Sequence, residues 1–267
     1  EFAPYGQSER LRKYPVHWVD TKHDTIVVFD GRRISRFDVR AGYVDAYPVP
    51  SDVVGGIVAV GNVRIWQGHV LIGTYDTGML PGSRRRLVVR AVASDTSRVV
   101  AEMLLSPLPK TQAGQPFDGL AEAKPTWDLL GNCIVATDGH SDSLIVTDVV
   151  SGRAATLIVP LPRRFQSGAE KRETKLLGSS DVPLPHLQSR VRSIIANPNG
   201  WIWMLPSEPM AGLAPRVEVW RVHVLSRRLQ VDTVPTFPLT WDNQGCGLGI
   251  RADANDEPQL IRMCNGA

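Results

Sequence analysis

The feature that most constrains this chain is a set of short strands that are apolar on both faces and recur in groups of about four. Ile26-Val27-Val28-Phe29 is one example, and Arg86 to Val92 is another. A strand with one face in water alternates apolar and polar residues; a strand covered on both faces does not. The first group is an antiparallel meander: a strand at residues 16–20, a turn at Lys22-His23-Asp24, strands at Thr25–Phe29 and Ile34–Val39, and an exit strand at Tyr43–Val49. Asp30-Gly31 is a hairpin turn signal between two of them. A second group comprises Ile57–Val60, Val63–Trp66, Val70–Tyr75, Arg86–Val92 and Val99–Leu105. A third runs from Pro125–Trp127 through Cys133–Thr137 and Ser143–Thr147 to Ala155–Val159. A fourth holds Val191–Ile195, Trp201–Leu205, Val217–Val224 and Gln230–Val234. The last is partial: Leu239–Trp241, Gly245–Arg251 and Gln259–Met263.

Groups of four strands spaced about 40–55 residues apart are the pattern of β-propeller blades, which cover each other's faces. The expected architecture is therefore all-β: a propeller of five to six blades of about four antiparallel strands, occupying 1–267 as a single domain. Residues 239–267 form its last, partial blade, and residues 1–15 are expected to supply a closing strand. The polar stretch 163–177 reads as an insertion with a short helix between the third and fourth blades.

Composition agrees. Hydrophobic residues are 43% and charged residues 21%, which excludes a disordered chain. The 23 glycines and 20 prolines fall largely between the apolar runs, as turns require. The formal net charge of +3 is too mild for a nucleic-acid binder, and the one dense basic cluster, Arg84-Arg85-Arg86, reads as a solvated strand start. There is no uninterrupted apolar run of about 18 residues that would make a membrane-spanning helix.

Of three cysteines, Cys246 and Cys264 flank a hairpin. If its turn centres on Asn255, the two face each other across the strands, so a disulfide between them is expected, with Cys133 free. A disulfide implies an oxidising compartment. No signal peptide is visible, and Glu1-Phe2 fits either a processed mature terminus or a cloning remnant.

Three segments carry a family resemblance. They are Asp24-Thr-Ile-Val-Val-Phe-Asp30 followed by Arg33-Ile-Ser-Arg-Phe-Asp38 and Gly42; Asn197-Pro-Asn-Gly-Trp-Ile-Trp203; and Gly247-Leu-Gly-Ile-Arg251 followed by Asp256-Glu-Pro-Gln-Leu-Ile-Arg262. In this order they resemble the blade pattern of bacterial six-bladed, NHL-like β-propeller proteins that are exported or lipid-anchored. The resemblance implies the fold and a place outside the cytoplasm. It brings no shared catalytic set.

The chemistry is sparse. No nucleophile elbow, zincin helix or phosphate-binding glycine loop is present. Asp138-Gly139-His140-Ser141-Asp142 and Asp253-Ala254-Asn255-Asp256-Glu257 read as turns rather than as a triad or a calcium loop. Some propellers are metal-dependent lactonases whose first ligand is a Glu preceding a Trp. Here Lys13-Tyr14-Pro15-Val16-His17-Trp18 has no Glu. Trp203 and Trp220 read as core. Trp127-Asp128 and Trp241-Asp242 each precede a turn, and Trp18 and Asp20 occupy the first strand. These six residues are the candidate binding positions, with aromatic rings at the rim of the ring of blades.

The function expected is that of a non-enzymatic binding or scaffold protein in the periplasm or secreted. It would engage a protein partner, for instance as an accessory structural subunit on a respiratory or photosynthetic membrane complex. No catalytic residue, cofactor, metal or nucleic acid is expected. The alternative is a metal-dependent propeller hydrolase or lactonase.

Overall fold

A computed structural model describes residues 18–22, 25–29, 33–38, 40–50, 58–76, 86–94, 96–105, 125–139, 141–162, 191–206, 217–242, 244–252 and 258–264. Those residues form 19 strands in five antiparallel sheets, and none of them is helical. The fold is an all-β propeller, and the described residues make five blades, the lower of the two blade numbers the sequence allows. The expected helix at 163–177, the closing strand at 1–15 and the Asp30-Gly31 turn lie outside the described residues.

The chain divides into two compact units, Glu1–Leu105 and Ser106–Ala267. The first holds two sheets, in the orders β1 (Trp18–Lys22), β2 (Thr25–Phe29), β3 (Arg33–Asp38), β4 (Gly42–Pro48) and β5 (Val58–Trp66), β6 (His69–Asp76), β7 (Arg86–Ala93), β8 (Thr96–Leu104). The two strands expected at Ile57–Val60 and Val63–Trp66 are one strand, β5. Its pairing with β6 shifts register between Ala59 and Val63, so the Gly61-Asn62 step bulges without ending the strand.

The second unit holds three sheets. β9 (Thr126–Leu130), β10 (Cys133–Thr137), β11 (Ser143–Asp148) and β12 (Ala154–Ile158) form the first. β13 (Val191–Ala196), β14 (Trp201–Pro206), β15 (Val217–His223) and β16 (Leu229–Val234) form the second. The third has only β17 (Thr240–Trp241), β18 (Gly247–Ala252) and β19 (Pro258–Met263).

Strands without alternation are the covered ones. Val27, Val28 and Phe29 of β2 and Ile134, Val135 and Ala136 of β10 are buried in unbroken succession, whereas the outermost strands β4 and β16 have no buried residue and β12 has only Leu157. Packing runs between neighbouring sheets. Val27, Phe29 and Ile34 pack with Val63, Ile72 and Val92 in the first unit. Val135, Leu144 and Leu157 pack with Ile194, Met204 and Trp220 in the second.

The third and fourth strands of three blades meet at one repeated corner. Asp38 Oδ1 accepts hydrogen bonds from the Arg40 and Ala41 amides at 2.8 and 2.7 Å. Asp148 Oδ1 accepts from the Val150 and Ser151 amides at 3.1 and 2.6 Å. In the fourth blade His223 takes the place of the aspartate, and its Nδ1 accepts from the Ser226 amide at 3.2 Å. The fifth residue of each corner has left-handed backbone: Gly42 at φ 78°, Gly152 at φ 69° and Arg227 at φ 56°. Only Arg227 carries the steric cost of a side chain there. An added Cβ at Gly152 would meet nothing within 4 Å, so Gly152→Ala isolates the backbone cost. We expect Gly152→Ala to destabilise by about 1 kcal/mol and Arg227→Gly to stabilise by a few tenths of that, read from urea unfolding midpoints.

Candidate binding surface

The fourth blade turns an unusual face toward the fifth. Trp201 and Trp203 lie two residues apart on β14, so they share one face of the sheet. The register puts His223 opposite Trp201 and Arg221 opposite Trp203 on β15. The result is a continuous row. His223 meets Trp201 edge-on with centroids 5.1 Å apart. The Arg221 guanidinium lies 5.6 Å from the Trp201 ring centroid and 5.1 Å from that of Trp203. Trp241 of β17 then closes on Trp203, edge-on at 5.1 Å. Arg221 ion-pairs with Asp232 on β16 and donates to Gln230 Oε1 at 3.1 Å. Trp203 is buried, but Trp201, Arg221 and Trp241 are half-buried, so the row is partly open to solvent. Stacked guanidinium and indole groups of this kind are the chemistry of protein and glycan contact surfaces.

Trp241 and the segment before it lie closely on β18. Residues 236–238, between β16 and β17, lie directly on β18. A Cβ at Gly249 would fall 2.4 Å from Thr236 Cγ2 and 2.8 Å from the Phe237 carbonyl oxygen, and one at Gly247 would fall 3.0 Å from the Trp241 ring. At Gly249 only glycine admits that approach.

The sequence-predicted residues have separate fates. Trp18 and Asp20 occupy β1 opposite Phe29 and Val27. Trp127 is fully buried, so its ring lies in the core rather than at a rim. Asp128 is also buried, at 1% exposure; its Oδ1 accepts from the Leu129 amide at 2.8 Å and its Oδ2 from the Ala196 amide at 2.7 Å. Asn197 and Trp201 form a hydrogen-bonded pair of the β13–β14 ladder, so the amide of Ala196 points to the open edge of β13. Asp128 on β9 caps it and ties two blades together. Of the four whose side chains are described, only Trp241 joins the aromatic row.

Asp242 organises the turn that follows. Its Oδ1 accepts from the amides of Gln244 and Cys246 at 2.9 and 2.8 Å, and its Oδ2 from Arg262 Nε at 2.7 Å. The Arg262 hydrogen bond, followed by the Cys246 amide, holds its carboxyl below the usual carboxylate range. A depressed folded-state pKa adds stability above the unfolded pKa of about 4, and that stability is lost as pH falls through the folded value. Asp242→Asn is therefore expected to flatten the acid limb of a stability-versus-pH curve, with the smallest change at pH values below the depressed folded-state pKa.

In the triad-like turn, Asp138 Oδ1 accepts from the Ser141 amide at 2.8 Å and its hydroxyl at 2.9 Å. His140, and the Asp253–Glu257 turn, lie outside the described residues. Among the described residues no three His, Cys, Asp or Glu side chains are grouped to hold a metal.

Cys246 and Cys264 form a disulfide with Cα atoms 4.3 Å apart, and Cys133 is free. They stand one step beyond the Gly247–Met263 pair of the β18–β19 ladder, the facing that the expected turn dictates. Burial raises the Cys133 thiol pKa, with Asp148 adding to it. Alkylation of the unfolded, unreduced protein should modify one thiol; three would exclude the disulfide.

The row, the capped blade edges and the five sheets define a β-propeller whose partly open chemistry is aromatic and cationic. No family model and no curated protein matches the chain. The solved structures similar to it are so at low identity and low TM-score. The AfRom2 CNH domain is 12% identical with a TM-score of 0.40, over 94% of this chain and 81% of that one. The Neurospora crassa Pan2 WD40 domain is 9% identical with a TM-score of 0.38, over 83% of this chain and 52% of that one. A putative 6-phosphogluconolactonase from Bacteroides fragilis is 11% identical with a TM-score of 0.37, over 92% of this chain and 68% of that one. The chain thus spans about half of the Pan2 chain. At these scores the likeness says nothing of activity.

Proposed function

We propose that the protein is a non-enzymatic binding or scaffold component acting outside the cytoplasm, as one propeller domain of the NHL-like exported kind. It would engage a protein partner, such as a membrane complex, through the half-open row from His223 to Trp241. The observation that carries this reading is the division of labour among the candidate groups. Asp128, Asp138 and Asp242 each spend carboxylate oxygens on backbone amides, while the aromatic–cation row remains partly exposed. The Cys246–Cys264 disulfide supports the oxidising location. No helix among the described residues is long and apolar enough to cross a membrane.

The test is twofold. Partner chains co-purifying from the native source should be lost on Arg221→Ala combined with Trp201→Ala, with the fold kept by near-UV circular dichroism. Metal analysis of the purified protein should find no stoichiometric divalent ion. Such an ion, with hydrolysis of a lactone, would establish the enzymatic alternative instead.

A further inference from the structure

We propose that one end of the second unit docks on an anionic lipid surface through two repeated corners. Val191 N donates to Gly139 O, beside the start of β9, and Ala196 N reaches Asp128 within β9. β9 and β13 therefore run parallel. The corners between the third and fourth strands of both blades emerge at the same end.

These corners align residue by residue: Asp148-Val-Val150-Ser-Gly-Arg153 and His223-Val-Leu225-Ser-Arg227-Arg228. Their hydrogen bonds match as well, with Gly152 N to Asp148 O and Arg227 N to His223 O both at 2.8 Å. Each presents an apolar side chain at its third position, Val150 at 68% exposure and Leu225 at 88%, the highest of any large apolar residue described. Each follows it with arginine: Arg153 in one, Arg227 and Arg228 in the other, all exposed. The acid of these corners, Asp148, is engaged in its own turn, and Asp242 at the neighbouring turn is paired with Arg262.

Convex apolar tips flanked by arginine need no matching pocket on a deformable lipid interface. The side chains enter the headgroup boundary while the guanidinium groups meet lipid phosphates. A protein partner would need a cavity for each tip and acidic groups placed around it, so the lipid surface is the simpler complement. This inference shares only His223 with the aromatic row and does not use the partner proposed for it.

The test is sedimentation of the whole protein with vesicles of phosphatidylcholine containing a quarter phosphatidylglycerol, and with phosphatidylcholine alone. Binding to the anionic vesicles is expected, and it should fall at high salt. Leu225→Ser with Val150→Ser should weaken it about tenfold. Each of Arg153, Arg227 and Arg228 changed to Gln should weaken it about fivefold. Val231→Ser, at an exposed site on β16, should leave it unchanged and serves as the control for general adhesion. All these sites are exposed, and unchanged thermal midpoints would establish that the variants fold. No sedimentation with anionic vesicles, or equal binding by the Leu225/Val150 variant, overturns the proposal. So does binding only to an acidic protein that these same substitutions abolish.

Discussion

Asp128→Ala is expected to lower the unfolding free energy by about 3 kcal/mol. The substitution removes the acceptor from two amides at once, those of Leu129 and Ala196. The second lies 68 residues away on the neighbouring blade and is sealed from water. A buried donor left without an acceptor costs its full desolvation, and no water need replace the carboxylate. Asp128→Asn should cost about half as much, because its single carbonyl oxygen serves one amide while its own N–H groups face the other donor. Urea denaturation of the three proteins measures this. A loss below about 1 kcal/mol for the alanine variant would show that Asp128 does not tie the blades together.

Trp220→Ala should be the more damaging, at about 4 kcal/mol. The ring is fully enclosed and belongs to the core shared by the third and fourth blades, among Val135, Leu144, Met204 and Val222. Its Nε1–H donates to Glu218 Oε1 at 2.8 Å, so truncation also removes that hydrogen bond at the edge of the cavity. Trp220→Phe keeps most of the apolar volume and should lose about 1–2 kcal/mol. Val231 lies directly across the ladder from Trp220 but is 53% exposed, and Val231→Ser should fall within about 0.5 kcal/mol of the parent. If the tryptophan and valine variants proved equally stable, the shared core between these blades would not be the main source of their stability.

Much of the architecture was legible because burial on both faces leaves a mark in composition. Val27 to Phe29 and Ile134 to Ala136 cannot be half-solvated strands, so they require sheets packed on sheets. The Cys246–Cys264 pairing was legible for a related reason, since hairpin register is fixed by where the turn falls. The corner aspartates Asp38 and Asp148, each followed four residues on by glycine, announce a turn whose backbone must go left-handed. His223 hid the third copy, because a ring nitrogen can accept the same hydrogen bond as a carboxylate while spelling a different motif.

The sites were less legible. Thr126-Trp127-Asp128 and Thr240-Trp241-Asp242 read alike. Asp128 stands two residues before its turn and reaches across to the next blade; Asp242 starts its turn and folds back on it. A local string cannot tell these apart, because the difference lies in which backbone amide the neighbouring strand presents. The aromatic row was missed for the same reason. Trp201 and Trp203 announce a shared face, but Arg221 enters between them only through the β14–β15 register, and Trp241 only through the approach that Gly247 and Gly249 permit. The sequence by itself determined which segments are strands, which are covered on both faces and where the chain turns, since these follow from periodicity and backbone sterics over a few residues. Only the tertiary structure decided which carboxylates are consumed inside the blades and which rings meet a cation, because those contacts join residues far apart in the chain through the packing of one sheet on the next.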